Sequence, residues 1–107
     1  MEEIRITISG LSEEDKEALS ELVSDNCKIE ETQGADGVTN EIITILAGNP
    51  ILCGIAANIL TDIIKAIATE SWNRIKISVR MPDDSNFINL GKAKFIQLMK
   101  KHFGIEI

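Results

Sequence analysis

The sequence predicts an α+β fold: a small mixed four-stranded sheet in the order β-α-β-α-α-β-β-α, covered by helices mainly on one face. Three observations carry this expectation. Ile4-Arg5-Ile6-Thr7-Ile8 and Ile75-Lys76-Ile77-Ser78-Val79-Arg80-Met81 alternate apolar and polar residues, the signature of half-buried strands. Ile51, Ile55, Ile59, Ile63 and Ile67 recur every four residues, the signature of a long helix wrapped into a core. A chain of 107 residues, 44% apolar and 26% charged, has the length and composition of one domain, residues 1–107.

The elements follow in order. Gly10 ends the first strand. Ser12 is a helix N-cap, and Glu13, Glu14 and Asp15 complement the positive end of the helix dipole. Asp15, three residues after Ser12, makes a capping-box arrangement with Asp in place of Glu. Leu19, Leu22 and Val23 supply the buried face of this helix, which should stop near Ser24-Asp25-Asn26. Cys27 to Thr32 is a weak strand whose Lys28, Glu30 and Glu31 suit an exposed edge. It could pair in parallel with the first strand through the helix between them. Gln33 to Gly37 is a loop.

The twenty residues from Ile42 to Thr61 carry no charge, the length of a membrane span. Asn49-Pro50 divides them, with Gly48 as a helix stop, Asn49 as an N-cap and Pro50 at the first helical position. The reading is two helices, Val38 to Ala47 and Pro50 to Thr69, although Ile42-Ile43-Thr44-Ile45 also suits a strand. Gly54 and Ala57 would allow close backbone approach, and Asn58, Asp62 and Lys65 would be costly in lipid. Trp72 is expected over the core rim, with its ring N–H near water. Ile75–Met81, a Pro82–Ser85 turn and Phe87–Leu90 form an antiparallel hairpin. A last helix, Lys92 to Phe103, buries Phe95, Ile96, Leu98, Met99 and Phe103 and ends at Gly104. Ile105 to Ile107 is a short edge strand or a tail.

Charge is divided along the chain. Residues 1–50 hold twelve acids and three bases, net −9, and residues 51–107 hold five acids and eight bases, net +3. Such a division suits head-to-tail contact or docking to a charged partner. The overall net charge of −6 and 4% aromatic content disfavour nucleic acid as a partner.

No catalytic constellation stands out. The only histidine, His102, lies where the last helix ends and suits its negative dipole end. Asp83 and Asp84 fall in a turn, where aspartate serves the backbone. Gly34-Ala35-Asp36-Gly37 lacks the residues of a phosphate-binding loop, and Glu13, Glu14 and Asp15 would repel an anion at the first helix. Cys27 and Cys53 lack zinc-site spacing and read as buried thiols, with a disulfide between them the alternative whose geometry sequence does not show. Neither catalytic residues, nor a cofactor, nor a metal site is expected. Met1-Glu2-Glu3 lacks the basic start of a signal peptide, so a cytoplasmic location is expected.

The run from the Gly34–Gly37 loop through Ile42-Ile43-Thr44-Ile45-Leu46-Ala47-Gly48, the long apolar helix, the Ile75–Arg80 strand and the Pro82–Ser85 turn resembles the effector-associated constant components. These are small adaptor domains of bacterial conflict and defence systems, and the resemblance covers roughly residues 3–90. It implies a non-enzymatic adaptor coupling an effector to a sensor or activator, and it offers no catalytic residues to carry over.

The expected function is therefore a protein-interaction module, with a protein partner or a second copy of the chain. Its expected surfaces are the Cys27–Thr32 edge, the Val38–Ala47 helix, and the basic last helix with Lys92, Lys94, Lys100 and Lys101. The alternative is a small membrane-associating protein that uses residues 42–61; membrane contact is the less favoured reading.

Overall fold

The computed structural model describes residues 2–22, 25–33, 39–48 and 51–105, with the side chains of residues 47 and 51–53 outside the description. Five strands, β1 (Glu2–Ser9), β2 (Cys27–Gln33), β3 (Thr39–Ala47), β4 (Lys76–Arg80) and β5 (Asn86–Leu90), form one antiparallel sheet in the order β2-β3-β1-β4-β5. Three α-helices, α1 (Glu13–Ser20), α2 (Ile51–Ala66) and α3 (Lys92–Phe103), and a short 3₁₀ helix, Thr69–Asn73, complete the α+β domain.

The middle of the sheet follows from its alternation. Ile4, Ile6 and Ile8 of β1 are fully buried, while Arg5 between them is exposed. Ile4 lies opposite Ile45, Ile6 opposite Ile43 and Val79, and Ile8 opposite Ile77. These pairs put one continuous apolar face under the helices. A slip of one residue would turn every isoleucine of β1 into solvent, so the register is fixed by burial. Each such side chain contributes roughly 1.5–3 kcal/mol.

Residues 38–47, read from sequence as a helix, are instead mostly strand: β3 spans Thr39–Ala47 between β1 and β2. Its Ile43 and Ile45 face the core, and its other face carries Ile42, Thr44 and Leu46 in half-buried positions. Apolar residues on both faces erase the two-residue period by which a strand is recognised. The β-branched run Ile42-Ile43-Thr44-Ile45 favours the extended form that the sheet selects. The insertion of β3 raises the strand count to five and removes the parallel β1–β2 pair. β1 and β2 still run in the same direction, each antiparallel to β3. The sheet is therefore not mixed.

Helix α2 ends at Ala66, short of the expected Thr69, and Ile67 is buried just beyond it. Ala56, Leu60, Ile63 and Ile64 are buried, while Asn58, Asp62 and Lys65 are exposed. Gly54 is exposed, with nothing within 4 Å of where a Cβ would stand, so it serves no close approach. No helix among the described residues is long and apolar enough to cross a membrane. Trp72, 7% exposed, lies deeper than a rim position, packed against Phe95 at a centroid distance of 6.2 Å. Asn49, Pro50 and the Gly34–Val38 stretch lie outside the described residues, as do Val23, Ser24, Glu106 and Ile107; Ile105 is buried in the core.

One buried carboxylate ties α1 to the start of the 3₁₀ helix that follows α2. Ser12 Oγ donates to Asp15 Oδ2 at 3.0 Å and accepts from the Asp15 N–H at 3.2 Å. Asp15 Oδ1 accepts the Ala68 N–H at 3.2 Å, across 53 residues of chain. Burial pushes the Asp15 carboxyl up, but hydrogen bonds from the Ser71 side chain, the Ala68 N–H and Ser12 outweigh it and hold it below its ordinary 3.8. The proposed cap is thus also a tertiary clamp. α1 itself is shorter than expected, with Glu21 as its C-cap.

Gly10 adopts φ +85°, and a Cβ there would stand 2.6 Å from the carbonyl oxygen of Arg74. Gly10→Ala is expected to cost about 2 kcal/mol or more, because strain and a backbone clash coincide; urea unfolding of the two proteins measures it. Asp15→Ala is expected to cost about 1–3 kcal/mol at neutral pH by leaving buried donors unpaired. The folded state lowers this pKa, so the ionised carboxylate's contribution is present above 3.8 and is lost as pH falls through the folded value. Unfolding curves of wild type and variant should therefore converge at acid pH.

Candidate functional site

The basic last helix is laid down by a simple local pattern. Phe95 and Met99, four residues apart, are fully buried and anchor α3 to the core. Gly104 ends the helix in the left-handed conformation, φ 66°, with its N–H donating to the Lys100 carbonyl at 3.0 Å. Lys100, Lys101 and His102 occupy the last turn, where positive charge complements the helix dipole.

The four lysines do not act as one patch. Lys94 and Lys101, two turns apart, fall on the same face. With Gln97 and Leu98 of α3 and Leu90 of β5 they line a surface groove of about 350 Å³. Its lining is largely apolar, and Lys94 and Lys101, both exposed, contribute to it beside the two leucines. Lys92 lies elsewhere: its Nζ sits 5.7 Å from the centroid of the Trp72 ring, a cation–π contact worth about 0.5–1 kcal/mol. Lys100 is exposed outside the groove lining. The structure thus brings Lys94 and Lys101 together and separates Lys92 and Lys100 from them.

The opposite edge is acidic. Glu13, Glu14, Glu17 and Glu21 of the α1 segment are exposed, as are Glu30 and Glu31 of β2, the edge strand that the sequence anticipates. Lys16 Nζ lies 3.5 Å from Glu13 and 3.7 Å from Glu31. Partial burial works against its charge, but the two carboxylates outweigh it and raise the Lys16 pKa.

Sequence reading missed Glu41. It faces the core side of β3, is 6% exposed, and stands opposite Glu31 in the sheet register. Its Oε1 has no hydrogen-bond partner among the described residues. Burial pushes its carboxyl up, and a hydrogen bond shared with Glu31 and the charge of that neighbour push the same way; Lys16 opposes them. A helix over Val38–Ala47 gives Glu41 no reason to meet Glu31, whereas strand pairing sets the two glutamates side by side. Cys27 is a buried free thiol whose pKa is raised by burial, the inert form of the residue.

A second feature unseen in sequence is a cationic row on the uncovered face. Arg5 and Arg80 are direct cross-strand partners, and Arg5 and Lys28 both pair with Thr44 of β3 from either side. The arginines are partly neutralised, Arg5 by Glu3 at 3.6 Å and Arg80 by Asp84 at 3.3 Å.

Asp83 Oδ1 accepts the Ser85 N–H at 2.9 Å within the β4–β5 turn, and this backbone bond leads in lowering its pKa. Asp84 takes φ 69° at the next position. A cleft of about 400 Å³ between the start of α1 and the 3₁₀ helix contains Asp15 and Ser71, already bonded to each other. Among the described residues, no three His, Cys, Asp or Glu side chains are grouped to hold a metal ion. No family model matches the chain, and neither the curated proteins nor the solved structures yield a match.

The fold favours the protonated form of Glu41, so stability declines as pH rises from its ordinary 4.5 through the raised value. Glu41→Gln, which keeps the shape and removes the ionisation, should raise the melting temperature at pH 7 by about 4–8 °C if it gains about 1 kcal/mol. The gain should vanish below pH 4.5, where both side chains are neutral. Melting curves across that range, read against Glu13, Lys16 and Glu31 as the surrounding charges, check it.

Proposed function

We propose that this domain is a non-catalytic protein-interaction module, and that the groove between Lys94 and Lys101 is where an acidic protein segment docks. The observation that carries this reading is the groove itself: a largely apolar lining that includes Leu90 and Leu98 together with two exposed lysines, on a chain of net charge −6. Apolar lining and exposed lysines divide the work of binding. Burial supplies affinity, and the lysines steer and orient an anionic partner. The resemblance to the effector-associated constant components supports an adaptor coupling an effector to a sensor or activator in a bacterial defence or signalling system.

Lys94 and Lys101 are the docking cations. Lys92 contributes through its contact with Trp72, and Lys100 serves the helix end and the field around the groove. The Val38–Ala47 surface drops out as a docking helix, because β3 is an inner strand with neighbours on both sides. Nor does the uncharged stretch 42–61 favour membrane association: Ile43 and Ile45 of β3 and Ala56 and Leu60 of α2 are already buried in the core.

The test is affinity capture from the native cells with wild type and Lys94→Glu/Lys101→Glu, followed by mass spectrometry. A stoichiometric acidic partner whose recovery falls about tenfold or more with the double variant is expected, as two reversed rim charges cost on the order of 1.4 kcal/mol or more. Undiminished recovery by the variant, or flotation of the protein with liposomes in place of a protein partner, would refute the reading.

A further inference from the structure

The two long edges of the domain are opposite in charge and lie at opposite ends of the same sheet. At one end, β2 is the edge strand and α1 lies over it, joined by the Lys16–Glu31 contact of 3.7 Å. Asp15 and Leu19 point α1 inward, so Glu13, Glu17 and Glu21, spaced four residues apart, form an exposed acidic stripe. At the other end, β5 is the edge strand and α3 lies beside it, their shared groove lined by Leu90, Lys94 and Lys101. β5 itself carries no charge, and its Ile88 is 63% exposed, the large apolar side chain most open to water among the described residues.

Directions agree as well as charges. β1, β2 and β5 all run the same way, because β3 and β4 are antiparallel to their neighbours. α1 returns from the end of β1 to the start of the co-directional β2, and α3 folds back along β5, with Leu90 near Lys94 and Phe87 near His102, so the two helices run in the same sense. A second copy displaced sideways along the sheet, without being turned over, therefore brings its α1 alongside α3 of the first. Lys94 and Lys101 are seven residues apart, about 10.5 Å along the helix, and Glu13 and Glu21 are eight apart, about 12 Å. The stripes match in length.

Resting on the docking reading above, we infer that the acidic occupant of the Lys94–Lys101 groove is a second copy of this chain, contributing its Glu13–Glu17–Glu21 stripe in a head-to-tail assembly. The contact is heterologous, so a pair of copies still has one free acidic edge and one free basic edge, and the assembly grows as an open row. Side chains drive it. The register shift at the β4–β5 pairing and the charges of Lys28, Glu30 and Glu31 on β2 blunt both strands against indiscriminate backbone pairing. Charge complementarity then selects which edge meets which.

Sedimentation velocity of the purified chain tests this with no other protein present. Wild type is expected to shift to larger species as its concentration rises to about 0.5 mM at low ionic strength, and to return to monomer at about 0.5 M salt, where the screening length is only a few Å. Lys94→Glu/Lys101→Glu and Glu17→Lys/Glu21→Lys should each remain monomeric alone. The second pair adds positive charge near the C-terminal end of α1, where the dipole favours it, so folding is preserved. An equimolar mixture of the two variants should assemble again, because the native acidic edge of one meets the native basic edge of the other. Wild type that stays monomeric throughout, assembly indifferent to salt, or a mixture that stays monomeric overturns the inference. Capture of a different acidic protein through Lys94 and Lys101 alongside a monomeric wild type would leave the docking reading standing and remove self-assembly alone.

Discussion

One-sided burial of β1 governs this molecule. Ile4, Ile6 and Ile8 are wholly out of water, while Arg5 between them is exposed, and β1 is the only strand with β3 on one side and β4 on the other. Its register therefore sets which residues of both neighbours face the helices: Ile43 and Ile45 on β3, Ile77 and Val79 on β4. The same register places Arg5 beside Arg80 on the uncovered face and Glu41 beneath the helices. A favourable apolar pairing and an unfavourable buried carboxyl thus come from one constraint. The first outweighs the second because several isoleucines are buried for a single glutamate, which can shed its charge by holding a proton.

The helices then inherit the polarity of the chain. Acids are concentrated in the first half and bases in the second, and α1 and α3 cover opposite ends of the sheet. Linear charge division becomes spatial division because β2, beside which α1 lies, is the last strand at one end and β5 the last at the other. In a fold that wound these strands toward the centre, the same sequence would have mixed its charges. The asymmetry leaves exposed glutamates at one end of the sheet and exposed lysines at the other.

Much of this was legible in the residues. The alternating strands β1 and β4, the β4–β5 hairpin, the Ser12 cap, the edge position of β2, the isoleucine repeat of α2 and the Gly104 stop each rest on local chemistry. Local chemistry also misled in instructive places. Ile42 to Leu46 presents apolar side chains to both faces of the sheet, so it has no two-residue period, and only pairing with β1 and β2 makes it a strand. Four lysines in one helix looked like one surface, yet Trp72, twenty residues upstream of Lys92, takes that residue away from the groove.

The sequence by itself determined the α+β class, the core-facing residues of the alternating strands and the main anchors of the last helix, because these depend on periodicity and on capping groups a few residues apart. Tertiary structure decided the five-stranded order, the Glu31–Glu41 juxtaposition, the Asp15–Ala68 clamp and the groove in which Leu90 of β5 joins Lys94, Leu98 and Lys101 of α3. Each of these depends on which strand lies next to which, or on contacts between distant segments. Those choices are made by the cooperative burial of the whole apolar face, a quantity that belongs to no single stretch of the chain.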